Sequence, residues 1–399
     1  MLIKTQNQFD TLVADLQAAT AKGAPLAFDT EFLSEKRYYA KLCLVQVLAP
    51  TENGVVEGAI DPFGLDLTAL AAMIADPAIV KLVHSGSADL QIFWQLFETQ
   101  ATNVFDTQIA AAFLGYGHQI GYADMVRRFT GAQISKTMQY TDWSTRPLSD
   151  EQIEYAMDDV RYLPPIYADL KAQLEKRGRL SWAQFEFERA EKKATRPEDD
   201  ENAYQRFNLS KLKRKQLAVL RELAATRQRL ARESNKPPSF IVPDLAMLQM
   251  ARQQPESVAD LRAIRGMPGV PEKIANTLLD AIDDSLETDP ETWPETRSDN
   301  RPDPRLDSIV ALMNVVATAR ATSEEISRSY LAPREAIGEL AQWWLDRAAN
   351  QQVAEASTLE IADGWRGEIL GRDLLKLLDG QAVIALDAAT GLPQLRDFA

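Results

Sequence analysis

Sulfur and imidazole are nearly missing from this sequence: of 399 residues one is cysteine, Cys43, and two are histidine, His84 and His118. A lone cysteine excludes an intramolecular disulfide and suits a reducing compartment. It sits in Leu42-Cys-Leu-Val-Gln-Val, which reads as a buried strand, so Cys43 is expected to pack rather than react. Without cysteine or clustered histidine, a metal would be held by oxygen ligands, which favour Mg²⁺ or Mn²⁺ over zinc. No run of about 18 apolar residues is present, so no membrane-spanning helix is expected. No basic segment followed by an apolar run opens the chain, so no secretory signal is expected and a cytoplasmic location is. A glycine-rich phosphate loop of the P-loop kind is missing as well. Positive charge is short: 44 Lys and Arg stand against 58 Asp and Glu, a net charge of −14. That total argues only mildly against a nucleic-acid partner, because the distribution of charge sets the local field.

What is present is acid in a pattern. Asp29 and Glu31 stand in Phe28-Asp-Thr-Glu-Phe32, directly after the apolar Leu26-Ala27-Phe28. Asp89 closes His84-Ser-Gly-Ser-Ala-Asp89, and Tyr155 and Asp159 stand in Tyr-Ala-Met-Asp-Asp. Residues two apart on a strand share a face, so Asp29 and Glu31 can reach one ion together. Residues four apart on a helix are neighbours, so Tyr155 and Asp159 can face one cavity. Four carboxylates from three segments can converge on two divalent cations about 3.5–4 Å apart, a clamp suited to phosphodiester hydrolysis. With 58 acids, Asp-x-Glu alone is cheap; it recurs at Asp199 and Asp289, in polar stretches that read as solvated linkers. Asp29 differs because an apolar strand leads into it, and an ionised pair at the end of a buried strand is costly unless paired or metal-bound. Tyr155 alone reads equally as a core aromatic with a bonded hydroxyl.

These segments, with Lys41-Leu-Cys-Leu-Val-Gln46, Phe105-Asp-Thr-Gln-Ile-Ala-Ala111 and Tyr140-Thr-Asp-Trp-Ser-Thr-Arg-Pro-Leu-Ser149, resemble the ribonuclease D family, in the tyrosine branch of the DEDD superfamily of 3′-to-5′ exonucleases. The resemblance implies a ribonuclease H-like α/β domain, a mixed sheet flanked by helices, over residues 1–195. It assigns metal ligation to Asp29, Glu31, Asp89 and Asp159 and the orientation of the attacking water to Tyr155. It implies a metal-dependent exoribonuclease that uses two cations, Mg²⁺ or Mn²⁺, and releases nucleoside 5′-monophosphates from RNA with a free single-stranded 3′ end, notably tRNA precursors. The other branch of the superfamily places a histidine near the last aspartate; neither His84 nor His118 is near Asp159 in sequence. His84 reads as the end of a strand beside the site. Asp106 reads as a local cap, and Asp158 should point about 100° away from Asp159 on its helix.

Periodicity gives strands at Leu26–Phe32, Lys41–Leu48, Gly54–Ile60, Ile79–His84 and Asn103–Asp106, with helices between and a helical remainder to about 190. Ser149 and Gln152 make a capping box for the helix of Tyr155. Trp143 reads as structural, with substrate stacking as the alternative, while Lys136 and Arg146 are candidate phosphate contacts. Two all-α units follow, at 205–288 and 305–390, separated by polar Pro-containing linkers. The first resembles an HRDC domain over Leu217 to Ile282 and the second a divergent HRDC domain. Between Gln205 and Lys236 lie ten Lys or Arg against two Glu. Its densest part, Lys211, Lys213, Arg214 and Lys215, reads either as a solvated helix face or as a phosphate-contacting stripe. Trp343 and Trp344 read as packing residues. The rival readings are a DNA exonuclease of the same chemistry and a catalytically silent RNA-binding protein. A monomer without membrane contact is expected.

Overall fold

The computed structural model describes residues 1–134, 141–195, 199–267, 269–296, 303–349 and 351–398. The first 195 residues build a six-stranded mixed sheet with helices on both faces. Its strands are β1 (Leu2–Ile3), β2 (Leu26–Leu33), β3 (Lys41–Thr51), β4 (Gly54–Ile60), β5 (Lys81–Val83) and β6 (Val104–Asp106), in the order β1-β4-β3-β2-β5-β6. The meander β2-β3-β4 is antiparallel, whereas β5, β6 and β1 join in parallel. β3 is buried from Leu42 to Ala49, as an apolar run covered on both faces must be. Five of the strands follow the sequence periodicity. β1 does not, because two residues are too few to show a period.

One face carries α1 (Gln6–Thr20), α2 (Thr68–Ala75) and α3 (Ser87–Phe97), where Phe9, Phe28, Val45, Val47 and Phe93 form a core. The other face carries α4 (Thr107–Ala112), α5 (Tyr122–Thr130), α6 (Asp150–Arg161), α7 (Leu163–Lys176) and α8 (Leu180–Ala194), packed through Ala27, Leu44, Leu48, Leu82, Ala156 and Val160. The Ser149–Gln152 capping box is formed: the Gln152 N–H donates to the Ser149 hydroxyl, and the Gln152 carboxamide accepts from the Ser149 N–H. It fixes where α6 begins, and hence the depth at which Tyr155 and Asp159 reach the sheet.

The second unit comprises α9 (Arg214–Ser234), α10 (Pro238–Ile241), α11 (Asp244–Gln253), α12 (Val258–Ala263) and α13 (Glu272–Glu287), around Leu220, Leu223, Met247, Met250 and Leu278. Arg227 is 1% exposed, and its Nη1 donates to the Val242 carbonyl and the Asp244 carboxylate, which pairs its charge while its Nε stays without a partner. Asn235 ends α9 in the left-handed conformation, and its carboxamide oxygen accepts from the backbone N–H groups of Tyr38 and Tyr39. One helix cap thus holds the loop after β2.

The third unit holds α14 (Leu306–Ser323), α15 (Arg328–Leu331), α16 (Arg334–Ala348), and α17 (Gly364–Arg366), which runs through a π turn, Gly367–Gly371, into α18 (Arg372–Leu378). Gly367 and Gly371 lie against the turn before them: a Cβ would come within 2.4 Å of the Ala362 oxygen at the first and 2.3 Å of the Ile361 oxygen at the second. The unit was expected to be all helical, and here the structure differs. Ala382-Val-Ile-Ala-Leu386 (β7) and Pro393–Asp397 (β8) form an antiparallel hairpin whose turn is held by Asp387, which accepts from the N–H groups of Ala389 and Thr390. β-branched residues and a proline favour strand over helix there. Trp343 and Trp344 serve packing, their indoles donating to the Ala354 carbonyl and the Asp379 carboxylate. Among the described residues no helix is long and apolar enough to cross a membrane.

The buried core of the sheet's α4–α8 face continues into this third unit, through Phe113, Leu331, Ile337 and Trp365. Within it Glu186 of α8 and Arg366 of α17 form an ion pair at 2.6 Å, the two side chains 6% and 3% exposed. Removing Glu186 leaves the buried Arg366 with only the longer ionic contact to Glu360, at 3.4 Å. Glu186→Ala is therefore expected to cost about 3–5 kcal/mol, read as a lower urea midpoint. Replacing both residues by leucine should recover most of that loss.

Candidate active site

Asp29 and Glu31 lie two apart on β2 and face α6, where Tyr155 and Asp159 stand one turn apart. Carboxylate oxygens of Asp29, Glu31 and Asp159 all come within 4.8 Å of one another. Asp89, in the first turn of α3, lies outside that triad but close enough to be felt by it. It is 6% exposed and accepts a hydrogen bond from the Thr30 hydroxyl, on the strand between Asp29 and Glu31. The structure thus brings all five predicted residues to one region.

The electrostatics follow from packing acids together without a counter-charge. Burial, then the charges of Asp89, Asp159 and Glu31, hold the Asp29 carboxyl well above its usual range. Burial, then Asp159 and Asp89, push Glu31 up to about 8, and burial with Asp158 and Asp89 pushes Asp159 up to about 7. Burial raises Asp89 to about 6, against the lowering effect of the Thr30 hydrogen bond. The Tyr155 ring stacks on Trp143, centroids 6.3 Å apart, and burial with the nearby carboxylates pushes its phenol to about 12. Trp143 is 4% exposed and acts as a wall for that ring. Among the described residues the Tyr155 hydroxyl has no hydrogen-bond partner, which tells against a bonded core phenol.

Asp106 anchors the turn that presents Asp89. Its carboxylate accepts from the N–H groups of Ser85 and Gly86, both at 3.0 Å, and caps α4 through Gln108 at 2.8 Å and Ile109 at 3.3 Å. His84 sits beside it with both ring nitrogens engaged, by the Thr107 hydroxyl at 2.9 Å and the Ile120 carbonyl at 3.1 Å. Burial lowers its pKa, as befits a neutral structural imidazole. Asp158 turns to Arg161, at 3.4 Å, away from the triad.

Two residues near the site carry no signal in the sequence. Tyr122 donates to the Asp158 carbonyl, and burial with the charges of Asp159 and Asp29 raises its phenol. Gln46 is fully buried on β3 directly opposite Asp29, and so on the same face, with neither carboxamide atom hydrogen-bonded. Only the register of β2 on β3 reveals it.

The expected phosphate contacts fare unevenly. Lys136 lies outside the described residues. Arg146 is corrected: all five of its N–H groups donate inside the fold, to both Asp61 oxygens and to the carbonyls of Trp143, Thr145 and Cys43, leaving none for a phosphate. Arg214 ties α9 to the segment after α13, through the Pro290 and Trp293 carbonyls and Glu295. Lys211, Lys213 and Lys215 are exposed at the start of α9.

Comparison with known proteins agrees with this geometry. A 3′-5′ exonuclease family model matches residues 1–175, and an HRDC domain model matches residues 216–282. Ribonuclease D of Acidiphilium cryptum is 34% identical over 90% of this chain and 88% of its own length; that of Jannaschia sp. is 33% identical over 94% and 96%. The chain belongs to the ribonuclease D family. The crystal structure of Escherichia coli RNase D, described as an exoribonuclease involved in structured RNA processing, superposes with a TM-score of 0.82 at 31% identity, covering 95% of this chain and 98% of that one. As a ribonuclease D, the chain is a hydrolase, a 3′-to-5′ exoribonuclease acting on RNA, and its acidic triad on the exonuclease fold is built for divalent metal.

Two expectations follow. A Cβ at Gly86 would lie 2.5 Å from a Val83 methyl, so Gly86→Ala should displace the start of α3 and Asp89 with it, lowering kcat by about ten-fold or more while Tm moves little. The second concerns pH. In the unfolded chain these carboxyls lose their protons near pH 4, whereas the fold keeps them to about 6–8. The folded state thus binds more protons in that window, and its stability falls as pH rises through it. In chelator, Tm should drop between pH 5 and 8.5. Adding Mg²⁺ should raise Tm by about 2–6 °C at pH 8.5 and far less at pH 5. An Mg²⁺ effect independent of pH would contradict this account of the cluster.

Proposed function

We propose that the chain shortens RNA from its 3′ end one nucleotide at a time with a pair of divalent cations, Mg²⁺ or Mn²⁺, releasing nucleoside 5′-monophosphates. The observation that carries the reading is the convergence of Asp29, Glu31 and Asp159 within 4.8 Å, with Asp89 beside them. In this reading Asp29, Glu31 and Asp159 hold one ion, and Asp29 with Asp89, through water, holds the other. When bound, the ions activate the attacking water and stabilise the leaving 3′ oxygen.

The residues fit such ions. Carboxyls whose pKa values burial and mutual repulsion push upward have a strong need for positive charge. The unpaired Gln46 carboxamide opposite Asp29 offers a donor and an acceptor to an ordered water or to Asp29 itself. Tyr155 stays protonated at neutral pH. Its free hydroxyl can accept from the attacking water and aim it, with Trp143 fixing the ring. Thr30 holds the Asp89 carboxylate in place beside the triad.

The biological substrates we infer are tRNA precursors and other small structured RNAs with an unpaired 3′ tail, processed by a cytoplasmic monomer. Lys211, Lys213 and Lys215 are proposed contacts to the body of the RNA, since they are exposed and lie outside the sheet domain. The units at 205–288 and 305–390 are read as two HRDC-like modules. The resemblance of Ile241-Val-Pro243 at the end of the one-turn α10 to Leu331-Ala-Pro333 at the end of the one-turn α15 supports a common plan.

The test uses a 5′-labelled RNA with an unpaired 3′ tail, incubated in Mg²⁺, in Mn²⁺ and with chelator, beside the matched DNA. A metal-dependent ladder on RNA is expected. Asp29→Asn should abolish it, by on the order of 10³-fold, and Tyr155→Phe should slow it by about 10²-fold without weakening RNA binding. Undiminished shortening by Asp29→Asn would overturn the assignment.

A further inference from the structure

Gln46 is the one polar residue in the otherwise apolar run from Leu42 to Ala49. It is fully buried, and neither its carboxamide nitrogen nor its oxygen has a hydrogen-bond partner among the described residues. Leaving such a group unpaired is costly, and an aliphatic side chain would suit the run better. Most of its surroundings offer it nothing. On the same face Leu44 and Leu48 flank it along β3, Ala59 stands opposite on β4, and all three belong to the apolar core beneath α6. Glu57 and Asp61, two residues either side of Ala59, are each held at both oxygens by an arginine, Glu57 by Arg161 and Asp61 by Arg146. Directly opposite on β2 stands Asp29. Side chains paired this way start about 4.5–5.5 Å apart at Cβ, within reach of a glutamine, whereas the diagonal neighbour Glu31 starts farther off. The Asp29 carboxylate accepts no hydrogen bond among the described residues, while Asp89 has one from the Thr30 hydroxyl. An unpaired donor thus faces an unanchored acceptor.

We propose that Gln46 is a positioning residue for Asp29: its carboxamide N–H donates to the ionised Asp29 carboxylate and fixes the orientation in which that carboxylate holds metal. The proposal rests on the reading of Asp29 as the carboxylate shared by both ions. A shared carboxylate serves two ions only over a narrow range of rotation about its Cβ–Cγ bond, so something must stop that rotation. Thr30 does this for Asp89, and Gln46 does it for Asp29. A neutral amide suits the task. Its bond to a charged acceptor is strong, and it brings no positive charge to compete with the ions, as a lysine or arginine would. Partners of this kind, one bond behind a metal ligand, generally set the ligand's direction and the affinity of the site.

The experiment titrates the full chain with Mn²⁺ and follows the free ion by electron paramagnetic resonance. Gln46→Met and Gln46→Leu both remove the carboxamide but differ in shape, so a packing effect would separate them and a lost hydrogen bond would not. In chelator each variant should keep the native Tm or exceed it, because a buried unpaired group has gone. Each should bind Mn²⁺ about 10- to 100-fold more weakly. On RNA at limiting Mg²⁺, kcat should fall by a similar factor while KM for RNA stays as it was. Raising Mg²⁺ should restore most of kcat, which a distorted fold would not allow. Native Mn²⁺ affinity in both variants would overturn the proposal. So would a loss of affinity confined to one variant, or one matched by a fall of Tm in chelator, since either marks packing. A native chain that binds no Mn²⁺ would instead overturn the metal reading itself, and the role of Gln46 with it.

Discussion

Everything near the site depends on the repulsion among carboxylates that the fold presses together. Asp29, Glu31 and Asp159 crowd within 4.8 Å with no lysine or arginine among them, and Asp89 adds to their field. Left alone, such a cluster would splay apart or unfold its surroundings. It persists because each member is mounted on an element that cannot yield. β2 is a central strand bonded on both sides, and α6 starts at a capping box and lies across β2 and β3. Protons or metal ions relieve the repulsion, and only ions do so while leaving the groups charged. The destabilised ground state of the ion-free cluster is thus what gives the site its affinity for cations.

The same constraint explains the structural polar groups around it. Asp106 gathers four backbone N–H groups so that the turn 84–86 can present Asp89. Arg146 spends its guanidinium on Asp61 and on the carbonyls of Cys43, Trp143 and Thr145. That bond network pins the segment carrying Trp143, which in turn walls the Tyr155 ring. Two residues with the chemistry of function, an acid and an arginine, are therefore occupied in holding the functional ones still.

That division marks how far the sequence could be read. Asp29 with Glu31, and Tyr155 with Asp159, are legible because each pair lies within one element, where period two or period four fixes a shared face. Ser149 and Gln152 are legible for the same local reason, and Asp106 announces its cap by standing just before a helix. Arg146 is not, since its partner Asp61 lies 85 residues away and residue type alone cannot tell a phosphate from a carboxylate. Gln46 is hidden in an apolar strand and becomes noticeable only through the register that sets it opposite Asp29. Tyr122 reaches the site only by the packing of α5, and the hairpin β7–β8 follows a run of helices with nothing long enough to reveal its period. What sequence reading misses here is long-range pairing.

The two helical units meet the sheet domain through opposite chemistries. The third shares an apolar core with α4–α8 and is riveted by the Glu186–Arg366 pair, a junction like the interior of one domain. The second keeps its own core, against which Tyr38 packs, and its link to the loop after β2 is completed by two backbone hydrogen bonds to Asn235. An apolar junction excludes water and ligand alike, so the third unit acts as a brace. Asp29 and Glu31 face α6, which lies on the braced side, so the brace stiffens the wall that carries Tyr155 and Asp159.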